Sequence, residues 1–491
     1  MPTIEIRNPR SLYIDGTWVE PSGQDVFEVV NCATEEVVTA VAAGNSADVA
    51  NAVAAARHAF DTGPWPRLDH GERAKYLRAI AQEFEARNDE FAAGWSIESG
   101  LVNRVARSVI GSHLAGAFNR YADLAETYPF IEPKASQAGN QAYLVREAVG
   151  VVAVIVPWNG PAALLAYKVA PALLAGCTVV IKSSPEAPTS AYLFAEICEK
   201  VGLPAGVVNV VTADRDVSAE LVANPGIDKV TFTGSTAAGR KIFAACGERI
   251  ARVTLELGGK SPAVILDDYD VDVAAATLAS SYFGYLTGQV CHSLTRVIVP
   301  DRHHDRMVEA LAEAGRALKI GDPFAADTQV GPLANARQRA TVEGYIAKGK
   351  AEGAVLACGG SRPAHLDRGY FFEPTVFGEV DNRSTIAQEE IFGPVLSVIR
   401  ARDDDHAIAM ANDTIFGLNA AVFTNDHERF LRVSRQIRAG TVGHNGPRTD
   451  FSLAFGGFKQ SGIGREGGTD GLLPFLEEKT VVMDRPFAAA S

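Results

Sequence analysis

The stretch GVVAVIVPWNGPAALLAYKVAPALLAGCTVVIKSSPE, residues 150–186, decides the architecture. Its two runs rich in Val and Ile, GVVAVIV (150–156) and CTVVIK (177–182), carry no polar alternation, the mark of strands buried on both faces. Between them PAALLAYKVAPALLAG (161–176) has helical length. The alternation continues through TSAYLFAEICEKVG (189–202), GVVNVV (206–211), DKVTFTG (228–234) and RVTLELG (252–258). Repeated strand–helix–strand units of this kind form a doubly wound α/β domain. Such sheets bind ligands beyond the carboxyl ends of their strands, so the informative residues are expected directly after each run.

Outward from this stretch, a second alternating block runs from SPAVILDD (261–268) through LTRVIVP (294–300) to about Gly443. It reads as another α/β domain, with helical patterns at 301–318 and 426–438. Upstream, SLYIDGTWVE (11–20) and the segments around Val26 and Val37 read as short strands divided by turn residues. Helical periods follow from Ser46 to Phe60 and from about Asp69 to Glu98, with Asp48 and Asp69 near their positive ends. Two pieces fit neither block: 127–147 (TYPFIEPK…QAYLVRE), read as a pair of extended strands, and the C-terminal LEEKTVVMDR. Extended segments detached from their domains often pair with another subunit, which points to an oligomer.

Composition sets the outer limits. The 491 residues exceed what one hydrophobic core serves, and 47% hydrophobic with 21% charged residues is ordinary for a globular protein. With 46 basic against 59 acidic residues the net charge is −13. An acidic surface repels phosphate backbones and anionic lipids, which argues against nucleic-acid or membrane partners. The longest apolar run, Ala148 to Trp158, is too short to span a bilayer. The N-terminus lacks the pattern of a signal peptide. Six scattered cysteines without a CxxC pair fit reduced thiols, and a cytoplasmic protein is expected. No histidine spacing suits a metal, so no metal site is expected.

Four sites follow strands. In VPWNGP (156–161), Asn159 sits in a Pro-bounded turn where its amide can serve as a fixed oxyanion donor; the plainer reading is a turn cap. Lys182 ends its strand and can donate to ribose hydroxyls or phosphate, or simply reach solvent. GSTAAG (234–239) opens a helix, where Gly234 lets backbone approach a pyrophosphate, yet it is neither a GxGxxG nor a P-loop. LELGGK (255–260) and GQVCHSLTR (288–296) supply the fourth. Glu256, a carboxylate ending an apolar strand, and Cys291, after a Gly-Gln turn, together make a nucleophile and a base. A buried structural thiol and an ordinary salt-bridge partner are the alternatives. A Cys291–His292 dyad is disfavoured because neighbouring residues on a strand or helix point apart.

Taken together, PWNGP, Lys182, GSTAAG, ELGGK, GQVC, EEIFGPV (389–395) and FGGFKQSGIGRE (455–466) form an ordered series that resembles the aldehyde dehydrogenase superfamily. The likeness spans nearly the whole chain, and ELGGK with GQxC is its most specific part. The resemblance implies an α/β fold: a Rossmann-like cofactor domain (1–126 and 148–258), an α/β catalytic domain (259–465) and a small β oligomerisation flap (127–147 and 466–491). It implies Cys291 as nucleophile, Asn159 and the Cys291 N–H as oxyanion hole, and Glu256 as the base that activates water. Val156, Pro157, Trp158, Lys182, Ser184, Gly234, Ser235, Leu257, Glu390 and Phe392 would contact the cofactor, with Lys182 and Glu390 each at one ribose.

The implied reaction is oxidation of an aldehyde to a carboxylic acid with NAD, through a cysteine thiohemiacetal and thioester, in a homodimer or homotetramer. One departure bears on the cofactor. Many relatives read Lys-x-x-Glu, the glutamate accepting from the adenosine 2′-hydroxyl; here Pro185 takes that position and Glu186 follows, which leaves NADP open. Gly160 stands where relatives often carry an aromatic, which widens the pocket. Tyr285, Val290, His292, Phe451 and Phe455 are expected to line an apolar tunnel for a medium-sized aliphatic or aromatic aldehyde. Competing readings are a CoA-acylating dehydrogenase, a non-catalytic relative on the same fold, and a thiol hydrolase using His292.

Overall fold

The computed structural model describes residues 4–137 and 140–484. The runs that opened the sequence form the parallel centre of an eight-stranded sheet. Arg252–Glu256, Lys229–Thr233, Val151–Ile155, Thr178–Ser183 and Val208–Thr212 lie side by side in that order. Four of the five are buried along their whole length, as strands without polar alternation must be once helices cover both faces. The hairpin Leu12–Ile14/Thr17–Val19 extends one edge antiparallel. At the other edge Gly462–Ile463 returns from far downstream and pairs antiparallel with Arg252–Glu256.

The second block folds into a seven-stranded sheet. Its central strands, Val395–Ala401, Leu294–Pro300, Ser261–Ile265 and Asn419–Phe423, are parallel neighbours. Only its edge strand Val355–Cys358 runs antiparallel. The helical patterns expected at 301–318 and 426–438 form the helices His304–Ala317 and His427–Ser434. Near the N-terminus Ser46–Asp61 is a helix closed by a capping box between Asn45 and Asp48, and Asp69 caps the next helix by accepting from the Glu72 N–H at 2.6 Å.

Two expectations need correction. The helical period from Asp69 to Glu98 is two helices, His70–Ala86 and Asn88–Ser99, broken at Arg87 (φ −108°, ψ 17°). Arg87 is anchored sideways to Glu196 and the Leu193 carbonyl, and tertiary anchorage overrides the local period. The 25-residue helix Asn103–Thr127 went unread, because alanines and two glycines dilute the stripe of Ala106, Ile110, Leu114, Phe118 and Tyr121 that it buries.

The extended pieces pair with each other. Ile131–Ala135, Gln141–Ala148 and Leu476–Met483 make a three-stranded antiparallel sheet in which Arg146 faces Glu478. Residues 466–475, grouped above with this flap, instead pack on the first sheet. Glu466 forms a buried ion pair with Lys168, and Leu472 and Phe475 enter the core. A carboxylate withdrawn from water needs a partnered cation, and Lys168 lies only on the first domain. Among the described residues no helix is long and apolar enough to cross a membrane.

One buried cation ties the second sheet together. Arg296 donates to the Lys260 carbonyl (2.9 Å), to Asn382 Oδ1 and the Met410 carbonyl (2.9 Å each) and to the Ala411 carbonyl (2.8 Å). Its removal takes a donor from four acceptors in the interior, of which the Met410 carbonyl keeps the Asp413 N–H at 3.2 Å. Arg296→Met is therefore expected to lose about 3–5 kcal/mol in a denaturant titration. Arg302→Met, which removes a surface ion pair to Asp267, should change stability by less than about 1 kcal/mol.

Candidate active site

The strand ends of the first sheet and the loops of the second meet in a cleft. Two glycines let them meet closely. A Cβ at Gly258 would overlap the Glu390 carboxylate, and one at Gly259 would overlap the Cys291 carbonyl. Glu390 accepts from the Gly259 N–H at 3.1 Å. The ELGGK segment thus carries Glu256 at the end of one sheet and holds the loop of Cys291 on the other.

Cys291 follows a turn of unusual backbone. Leu286, Thr287 and Gly288 are consecutively left-handed, with φ of 51°, 54° and 74°. For Leu and Thr this conformation costs on the order of 1–3 kcal/mol each and persists only when the surroundings fix it. Here Thr287 Oγ1 donates to the Gly331 carbonyl at 2.8 Å. Gln289, fully buried, donates to the Leu286 carbonyl (3.0 Å) and accepts from the Ala334 N–H (2.9 Å). Cys291 itself is half-buried. Burial pushes its thiol pKa up, and the Glu390 and Glu256 carboxylates push it further.

Asn159 lies in the turn before the helix Pro161–Ala175, and its Nδ2 donates to the Gln289 carbonyl at 3.0 Å. Its own carbonyl accepts from Trp95 Nε1 at 2.8 Å, and the preceding Trp158 carbonyl accepts from Ser99 Oγ at 2.6 Å. The amide nitrogen carries two protons, so one remains for another acceptor.

Glu256 is buried, and neither carboxylate oxygen has a hydrogen-bond partner among the described residues. Burial and the nearby Glu466 raise its pKa well above the carboxylate range, against the pull of Lys168 and Arg465. An unpaired buried carboxyl of this kind is a base in waiting. Glu390 is also raised, to about 7, chiefly by burial.

The residues expected to hold a cofactor stand at the strand ends of the first sheet and, for Glu390 and Phe392, in the segment before the strand Val395–Ala401 of the second. Burial brings the Lys182 ammonium down to about 8, although Glu186 and Asp214 support its charge. Val156 N–H donates to the Lys182 carbonyl at 3.3 Å, and Pro157 follows in the turn. Gly234 N–H donates to the Glu256 carbonyl, and Ser235 caps the helix Thr236–Glu248. Leu257 N–H donates to the Ser461 carbonyl at 2.9 Å. Across the cleft Phe392, left-handed at φ 58°, meets Trp158 edge-on at 5.4 Å between ring centres. Gln338, which sequence reasoning missed, holds the Phe392 carbonyl at 2.7 Å. Ser184 donates to Glu186, and Arg337, also missed, pairs with the same carboxylate at 2.6 Å.

A run of rings leads away from the cleft. Tyr167 stacks on Phe451 at 4.4 Å, Phe451 meets Phe455 at 4.5 Å, and Phe455 meets His292 at 6.0 Å. Val290 is buried and Tyr285 half-buried, and desolvation with Tyr167 and Cys291 close by raises the Tyr285 phenol to about 12. Tyr167 was missed because helical spacing alone reads as core. His292 bonds Thr449 Oγ1 at 3.3 Å, and burial holds its imidazole down to about 4. A neutral ring engaged with Thr449 is a poor partner for a thiolate. Around Cys291 an added Cβ at Gly160 would touch only Leu164 and Trp95 at ordinary distances. Elsewhere His304, Asp305 and Glu379 bring potential metal ligands together, but Arg400 pairs with both carboxylates at 2.6 and 2.5 Å.

The thiol offers a direct test of the electrostatics. A negative charge beside a thiol disfavours the thiolate, so removing it lowers the thiol pKa and raises reactivity at fixed pH. Glu390→Gln is expected to speed iodoacetamide alkylation of Cys291 at pH 8 by about 3–10-fold, measured by mass spectrometry of the modified peptide.

Comparison with known proteins agrees with this geometry. Residues 18–481 match the aldehyde dehydrogenase family profile. The chain is 42% identical over 472 residues to geranial dehydrogenase from Castellaniella defragrans, covering 96% of this chain and 98% of that one. It is 39% identical over 486 residues to chloroplastic betaine aldehyde dehydrogenase from Beta vulgaris, covering 97% and 96%. Among solved structures, it matches an aldehyde dehydrogenase of Mycobacterium tuberculosis complexed with NAD+ at a TM-score of 0.94 and 44% identity, covering 98% of this chain and 99% of that one. A mutant aldehyde dehydrogenase C of Pseudomonas syringae, complexed with NAD+ and octanal, matches at 0.94 and 39% identity over 99% of each chain. With near-complete coverage on both sides, this chain belongs to the aldehyde dehydrogenase family.

Proposed function

We propose that the chain oxidises a medium-sized aliphatic or aromatic aldehyde to its carboxylic acid, with Cys291 as nucleophile, Asn159 as oxyanion donor and Glu256 as hydrolytic base. The observation that carries this reading is the placement of an unpaired buried carboxyl and an amide with a spare proton about the loop of a half-buried thiol. The Cys291 thiolate adds to the aldehyde carbon, and the new oxyanion takes the second Asn159 N–H and the Cys291 main-chain N–H. Hydride departure to a bound nicotinamide, the chemistry the cofactor supplies, leaves a thioester on Cys291. Water then attacks that carbonyl while Glu256 takes its proton; the C–S bond breaks, and the acid leaves with the Cys291 thiolate restored. Burial makes Glu256 a stronger base than a solvated carboxylate.

NAD is the family's cofactor, and the cleft residues suit it: Lys182 toward ribose hydroxyls, the N–H groups opening the helix Thr236–Glu248 toward pyrophosphate, Glu390 and Phe392 toward the nicotinamide ribose. NADP stays in play because the Glu186 charge is met by Arg337, so no unpaired carboxylate guards the 2′ position. The presence of Glu256 favours water over CoA as the thioester acceptor. All six cysteines are free, which supports a reducing, cytoplasmic setting. Exposed Ile131 and Val482 on the flap strands support pairing of two or four copies through that sheet.

Reduced-cofactor formation with an aldehyde panel tests the reading. Cys291→Ala should abolish it, and CoA should leave the product a free acid. Octanal should outrun succinic semialdehyde by at least about tenfold in kcat/KM, since the GQVCHS segment (288–293) brings no arginine beside the thiol to hold a second carboxylate; equal rates would refute the substrate class. Gly160→Phe should cut kcat/KM for octanal about tenfold or more while sparing acetaldehyde. Arg337→Ala should weaken NADP use about tenfold more than NAD use.

A further inference from the structure

We propose that Gln289 is a positioning residue for the oxyanion hole, acting through Asn159. The inference rests on the reading of Asn159 as the oxyanion donor. Gln289 is fully buried between the two halves of the cleft, and its polar groups all have assigned work. Its main-chain carbonyl holds one Asn159 proton at 3.0 Å. Its side-chain oxygen accepts from the Ala334 N–H at 2.9 Å, and its nitrogen donates to the Leu286 carbonyl at 3.0 Å and the Ser99 carbonyl at 3.4 Å.

These bonds close a ring. Ser99 and Trp95, on one helix, hold the Trp158 and Asn159 carbonyls, so the main chain that carries Asn159 is pinned from one side. Gln289 pins the side-chain amide from the other and is itself tied to Ser99. An amide held at its carbonyl neighbour and at one proton keeps its second N–H in a fixed direction. A preorganised donor is what stabilises a developing oxyanion, because it needs no rearrangement as charge appears. The left-handed run at Leu286–Gly288 adds the reason for so many restraints. Losing the side-chain clamp leaves the Leu286 carbonyl to the Gln289 main-chain N–H at 3.0 Å, which loosens the turn, and the Gln289 carbonyl moves with it.

The experiment compares two reactions of the same thiol in the full-length protein. Hydrolysis of p-nitrophenyl acetate passes through an oxyanion; alkylation by iodoacetamide does not. Gln289→Met keeps the length and removes every side-chain hydrogen bond. It should lower ester and aldehyde kcat by about 10–100-fold, with KM and NAD binding nearly unchanged and the alkylation rate within about threefold of wild type. In the Asn159→Ala background the same substitution should add less than about threefold, as expected of residues acting in one unit. Gln289→Glu, which keeps an oxygen for the Ala334 N–H but loses the donor to Leu286 and Ser99, should show the same selective loss and serves if the methionine variant does not fold. Parallel loss of alkylation and ester hydrolysis, or full additivity with Asn159→Ala, would overturn the proposal. If Asn159→Ala alone left ester hydrolysis intact, the oxyanion reading itself would fall.

Discussion

The molecule turns on a close approach at two glycines. At Gly258 and Gly259 the first sheet meets the second with no room for a side chain of its own, one glycine against the Glu390 carboxylate and the other against the Cys291 main-chain carbonyl. Any Cβ there would wedge the sheets apart. Because Glu256 ends the strand just before this contact and Ser261 begins the next sheet just after it, the separation of the Glu256 carboxyl and the Cys291 thiol is set by a few main-chain atoms. Such a joint transmits small displacements directly, since packed interiors have little slack.

Around this joint the structure accumulates unfavourable terms that make chemical sense only together. Two carboxyls, Glu256 and Glu390, are buried near a thiol that both of them disfavour as an anion. Two side-chain-bearing residues sit left-handed in the turn before that thiol. The surrounding hydrogen bonds of Thr287 and Gln289, and the buried pair of Lys168 and Glu466 behind Glu256, hold these features in place. Removing any partner leaves a charge or dipole stranded in low dielectric, which is why the site is stable as a set and not piece by piece.

The sequence made the strand ends legible because buried parallel strands have a plain signature and chemistry in such sheets gathers at their carboxyl ends. Asn159, Lys182, Gly234 and Glu256 came from that rule, whereas Cys291, expected after a strand, instead precedes the strand Leu294–Pro300 and was legible only through the ordered set of motifs. What escaped were partners distant in sequence. Nothing local ties Arg337 to Glu186, 151 residues away, or Glu466 to Lys168, 298 residues away. Tyr167 was hidden for a different reason: an aromatic at helical spacing looks the same facing a tunnel as facing a core. The long helix Asn103–Thr127 was blurred by small residues, and the break at Arg87 was set by a neighbour that local periodicity does not record.

The ion pair between Lys168 and Glu466 also has a bearing on synthesis. During translation Lys168 and the strands beside it emerge long before Glu466, and the strand Leu476–Met483 comes later still. Until then the first domain holds an uncompensated interior ammonium, and the strand Gln141–Ala148 has an open edge. Domains fold as units as they leave the ribosome, and unpaired edges invite misassociation. The nascent first domain must therefore wait, partly assembled, until Glu466 and the strand Leu476–Met483 have emerged, and a ribosome that stalls before them leaves that domain incomplete.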